Sequence, residues 1–157
     1  MKRFMSVFVI ALLSVALLAC GKKEFAQDGT FRAFELGDNY GTPMITWADV
    51  VVKDGKVESI TLDALQATVT EGSFAWNAKS KKELGYAYRM HQQYDLSEED
   101  YIKYLKDNNK LEWFEQANLI EKAYKDNKNA SLDGLTNVTI TTSSYKAVVE
   151  GAFAFIK

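Results

Sequence analysis

The spacing of hydrophobic and polar positions changes character along the chain, and each change marks a predicted element. Lys2 and Arg3 precede residues 4–19, a run without a charge that ends at Cys20. Residues 30–36 alternate apolar and polar side chains and predict a strand, broken by the Gly- and Asn-containing stretch 37–41. Residues 47–53 and 56–62 are two further apolar, β-branched runs separated by Asp54-Gly55. Both residues of such a pair tolerate positive φ, so it predicts an antiparallel hairpin. Residues 63–78 mix Ala, Thr and Gly and show no assignable period.

Helical spacing follows. Ser80 and Glu83 have capping-box spacing and predict a helix through Leu84, Ala87, Tyr88 and His91, despite Gly85. Ser97, Glu98, Glu99 and Asp100 predict a second helix start, with carboxylates where the positive helix end favours them. Apolar positions at Leu111, Trp113, Ala117, Ile120 and Tyr124 predict a third helix ending by 127–129. Residues 132–135 read as a turn and 136–142 as a short extended segment. From Ser143, Val148, Val149, Ala152, Phe153 and Ile156 fall on one helical face. The expected fold class is α+β, an antiparallel sheet packed against several helices in a single domain.

The opening run is too short for a membrane span, which needs roughly 20 apolar residues. A basic start, an apolar middle and small residues before Cys20 describe a cleaved leader. With Leu-Leu-Ala before the thiol, the segment resembles the bacterial lipobox, which implies acylation of Cys20. The expected organisation is a lipoprotein signal peptide over 1–19, a lipidated linker over 20–27 and one domain over 28–157. That places the protein at the extracytoplasmic face of a bacterial membrane, lipid-anchored.

Composition narrows the chemistry. Loss of Lys2 and Arg3 leaves 17 basic against 21 acidic residues, a formal charge of −4 that argues against a nucleic-acid partner. Cys20 is the one cysteine, so no disulfide staples the domain and its core must hold it. His91 is the single histidine, which leaves no ordinary zinc or copper site. No Gly-x-Ser-x-Gly turn presents a hydrolase nucleophile.

Residues 133–142, Asp-Gly-Leu-Thr-Asn-Val-Thr-Ile-Thr-Thr, are the most informative stretch. They resemble the flavinylation motif of the FMN-binding domain family, Asp-Gly-x-Ser/Thr-Gly-Ala-Ser/Thr-x-Thr. Asp133, Gly134, Thr136, Thr139 and Thr141 match it, while Asn137 and Val138 replace Gly-Ala. Asparagine is among the residues that best tolerate positive φ. Residues 28–31, the Trp47 run, 54–57, 80–90 and 112–117 follow the same family order, so the resemblance spans about 28–155. It implies FMN as cofactor, joined through its phosphate to Thr139 by a flavin transferase that uses FAD. It also implies a redox carrier fed by a membrane electron donor, a monomer without an enzyme activity of its own.

Ordinary readings stand beside these. Asp-Gly-x-Thr is common turn-to-strand sequence. Trp113, Tyr86, Tyr88 and Met90 can stack on a flavin ring, yet aromatic residues at helical spacing more often build a core. The alternative function is a surface lipoprotein without flavin, serving as a binding module or antigen.

Overall fold

The computed structural model describes residues 23–156; the leader expected over 1–19 and the acylation expected at Cys20 fall on residues outside them. Four antiparallel strands form a sheet in chain order: β1 (Gly29–Asn39), β2 (Thr42–Lys53), β3 (Lys56–Thr70) and β4 (Ser73–Trp76). Helices follow: α1 (Lys81–Leu84), a 3₁₀ turn (Gly85–Tyr88), α2 (Glu98–Asp107), α3 (Trp113–Asp126) and α4 (Ser143–Phe155). The protein is an α+β fold. Among the described residues no helix is long and apolar enough to cross a membrane.

All three hairpins use two-residue turns with both residues at positive φ: Tyr40-Gly41, Asp54-Gly55 and Glu71-Gly72. This backbone twist matches that of the strands it joins. The strands therefore run further than their apolar patterns: β1 continues through Gly37 to Asn39, and β3 and β4 occupy most of 63–78.

Along β2 every second residue from Met44 to Val52 is buried, facing α3 and α4. Ala48, Val50, Ile60 and Leu62 meet Trp113, Ala117, Ile120, Val148, Val149 and Ala152 in this core. The other sheet face is partly open: Arg32 clasps Asp49 with two hydrogen bonds of 2.7 Å, and Phe34 and Leu36 are exposed.

The helix expected through His91 is corrected to one short turn. Ser80 and Glu83 do form the capping box, but Gly85 adopts φ 54° and ends α1 after Leu84. The chain continues as the 3₁₀ turn, then turns again through Arg89 at φ 57°. His91 instead contacts the Leu111 carbonyl at 3.0 Å through Nε2.

The hairpin turn at Asp54-Gly55 also receives the chain's incoming segment. The amides of Glu24 and Phe25 donate to the Gly55 carbonyl at 2.8 and 3.0 Å. The Asp28 carboxylate accepts from the amides of Asp54 and Gly55 at 2.9 Å, which lowers its pKa. A Cβ on Gly55 would lie 2.5 Å from the Lys23 side chain and 2.7 Å from the Phe25 carbonyl oxygen. Gly55→Ala is therefore expected to cost about 2 kcal/mol, combining this clash with the loss of glycine's freedom at φ 71°. Urea unfolding measures it, and a cost below half a kilocalorie would contradict the docked position of residues 23–25.

Candidate functional site

The site grows from the first turns of α3. Glu112, the N-cap, is fully buried. One carboxylate oxygen accepts from the amides of Trp113 at 2.8 Å and Met90 at 3.2 Å. The other accepts a short hydrogen bond from the Tyr101 hydroxyl. Burial and this carboxylate both push the Tyr101 pKa up. Glu115 closes the capping box by accepting from the Glu112 amide at 2.8 Å.

One turn along, the buried Gln116 faces the motif. Its amide oxygen accepts from the backbone N–H of Thr139 at 2.7 Å and of Ile140 at 3.1 Å, with the Thr139 hydroxyl at 3.3 Å. Its NH₂ donates to the Leu111 carbonyl at 3.0 Å and reaches the Met90 sulfur at 3.3 Å. Two N–H donors converging on one atom fix the amide orientation, because a flipped side chain would set donor against donor.

Residues 136–142 are not the extended segment their β-branched composition predicts. Two successive turns precede Thr139. The Leu135 amide donates to the Leu132 carbonyl at 3.4 Å, and the Val138 amide to the Leu135 carbonyl at 3.3 Å. Each turn puts its third residue at positive φ: Gly134 at 83° and Asn137 at 66°. A turn of this kind calls for glycine or asparagine there. Asn137 thus occupies the conformation that the glycine of the resembling motif would permit. Val138 packs against the core, whereas Asp133, Gly134, Thr136, Asn137, Thr139 and Thr141 are exposed.

Three residues beyond Thr139 the chain enters α4. Its N-cap, Thr142, makes no side-chain capping bond, and no acidic residue lies in the first turn. Side chains of Ser80, Ser97 and Glu112 cap α1, α2 and α3. The first N–H groups of α4 have no intrahelical partner, and no cap side chain serves them. This helix end favours an anion.

Beneath it the Trp113 indole donates to the Tyr145 hydroxyl at 3.0 Å. Lys81, 5% exposed, places its ammonium 4.8 Å from the Tyr88 ring centre and 5.6 Å from that of Trp113. Burial pulls the Lys81 pKa down to about 8, with Asp63 opposing the shift. Burial likewise pushes the Tyr145 pKa up to about 12.

The Lys81 shift fixes the sign of a pH dependence. Below pH 8 the ammonium is charged in both folded and unfolded chains and its burial opposes folding. Between 8 and 10.5 the unfolded chain holds the proton more tightly, so stability rises with pH. Lys81→Met is expected to stabilise the domain by about 2 kcal/mol at pH 7, less than the full desolvation cost because two aromatic faces hold the cation. The gain should fade towards pH 10.5. Urea titrations across pH measure both, and a destabilised variant would contradict the account.

Of the residues singled out from sequence, Trp113 is core, Tyr88 and Met90 pack against that core, and Tyr86 packs edge-on against Phe114. Met90 reaches the motif only through Gln116. Among the described residues no three His, Cys, Asp or Glu side chains gather as metal ligands. Glu112, Gln116 and Lys81 were not anticipated. The available signal was a glutamine one turn from Trp113 within an otherwise apolar stripe.

Comparison with known protein families, curated proteins and solved structures finds no match to this chain.

Proposed function

We propose that this protein is a lipid-anchored, extracytoplasmic electron carrier with FMN joined by a phosphoester to Thr139. The observation that carries the reading is the backbone of the motif: Asn137 takes φ 66° where the resembling sequences have glycine, and Thr139 follows with an exposed side chain. The departure from Gly-Ala therefore does not cost the motif its turn.

The residues present fit an attached flavin phosphate. Gln116 holds the amides on both sides of the Thr139 Cα, so the Thr139 hydroxyl is presented in one place on the surface. The uncapped start of α4 offers N–H donors to a phosphate at that hydroxyl. In the attachment step Thr139 Oγ1 would bond to the flavin-side phosphorus of FAD as the bond to AMP breaks. AMP leaves, and the transferase takes up the hydroxyl proton. When bound, FMN supplies the redox chemistry, and the protein holds and orients it.

The anchor at Cys20, the membrane donor and the transferase belong to the same reading. Co-expression with a flavin transferase tests it cheaply: protein denatured and freed of small molecules should keep the blue absorbance of flavin, and Thr139→Ala should be colourless. A colourless wild-type protein would favour the flavin-free binding module.

A further inference from the structure

Glu24, Phe25 and Asp28 are bound to the Asp54-Gly55 turn, so the first described residues lie docked on the domain. Cys20 and Lys23 are three residues apart, a span of at most about 10 Å. Immediately after Lys23 the chain is clamped. Glu24 and Phe25 bond to the Gly55 carbonyl, Phe25 is buried and stacks on Phe153 at 6.2 Å, and Asp28 caps the hairpin turn. Lys128 pairs with Glu24 at 2.8 Å and lies 5.4 Å from the Phe25 ring centre. This joins the incoming chain to the loop after α3.

We infer that the end of the domain formed by the 53–56 turn and residues 124–129 rests on anionic lipid headgroups, with Thr139 held on the far side. The inference rests on the proposed acylation of Cys20. An anchor confined to the bilayer surface leaves the clamped segment no more than about one Debye length from the headgroups. At this end a cavity of about 470 Å³ is bordered by Lys56, Lys125 and Lys128 together with Glu24 and Asp126. Glu24 is paired with Lys128, and Asp126 with Lys122. Lys56 and Lys125 form no ion pair among the described residues. Two unpaired cations beside a headgroup-sized hollow suit a lipid phosphate, and juxtamembrane lysines gain from anionic lipid.

The helix α3 carries the consequence. Its C-terminal end borders the cavity, while Gln116, which holds Thr139, lies 11 residues before Asn127, about 16 Å along the helix. The Thr139 turn therefore faces away from the bilayer, and its electron partner must project from the membrane or be soluble.

Lysine acetylation of the protein in vesicles containing phosphatidylglycerol tests this, read residue by residue against protein in detergent. Intact mass of the same sample reports acylation separately. Lys56, Lys125 and Lys128 should react at least fivefold more slowly on vesicles, while Lys103, Lys106, Lys110 and Lys146 keep their rates. Acylated protein with uniform rates, or with protection at Lys103, Lys106 and Lys110 instead, overturns the orientation and leaves the anchor standing. Absence of the acyl mass overturns the anchor and the orientation together.

Discussion

Glu112→Ala is expected to lower stability by about 4 kcal/mol, a large fraction of the about 5–15 kcal/mol that holds an ordinary domain folded. The carboxylate joins three elements that are separate in sequence. It caps α3, receives the Met90 amide from the turn after the 3₁₀ segment, and receives the Tyr101 hydroxyl from α2. Alanine leaves three donors without an acceptor at a site that water does not reach, and each such group costs about 1–3 kcal/mol. One of the three, the Trp113 amide, is the helix cap bond. Glu112→Gln keeps the oxygen that serves the two amides, and the Tyr101 hydroxyl can rotate to accept from the new NH₂. That variant should lose less than half as much. Urea unfolding followed by fluorescence of the buried Trp113 measures both, and equal losses would show that hydrogen-bond geometry is not what Glu112 contributes.

Gln116→Leu is expected to release the motif. Leucine fills the space but supplies no oxygen for the Thr139 and Ile140 amides, so residues 136–142 lose what pins them to α3. Loss of a shared acceptor worth about 2 kcal/mol corresponds to roughly 30-fold faster hydrogen exchange at those two amides. The proposed flavin loading should fall at least tenfold as the hydroxyl ceases to be held in one place. Gln116→Glu retains the acceptor and should retain most of the protection. Full loading with Gln116→Leu would show that the transferase does not need the turn pre-formed.

What could be read from the sequence follows how local each cause is. Asp54-Gly55 announced its hairpin because aspartate and glycine both favour positive φ. Glu71-Gly72 makes the same turn, but glutamate is no turn signal, so β4 went unseen. β3 lost its period because Leu62, Asp63 and Ala64 are buried in succession. Asp63 is satisfied by the amides of its own neighbour Ala64 and of Lys82, contacts that alternation does not encode. Ser80 and Glu83 marked the start of α1, whereas Gly85 at φ 54° cut it short.

The candidate site divides in the same way. Thr139 and Asn137 came from a linear motif. Gln116 is 23 residues from Thr139, and a buried glutamine in a helix looks like any surface glutamine until its partner is known. The β-branched run 136–142 favoured a strand on propensity alone. Two turns and the contact with α3 override it, as tertiary context commonly does.

The most direct measurement is peptide mass mapping of wild-type protein produced with a flavin transferase. The account predicts that the peptide containing residues 133–142 carries one FMN less one water, with fragment ions placing it on Thr139 and no such peptide from Thr139→Ala. A bare peptide, or flavin on Thr136, Thr141 or Thr142 instead, would contradict it.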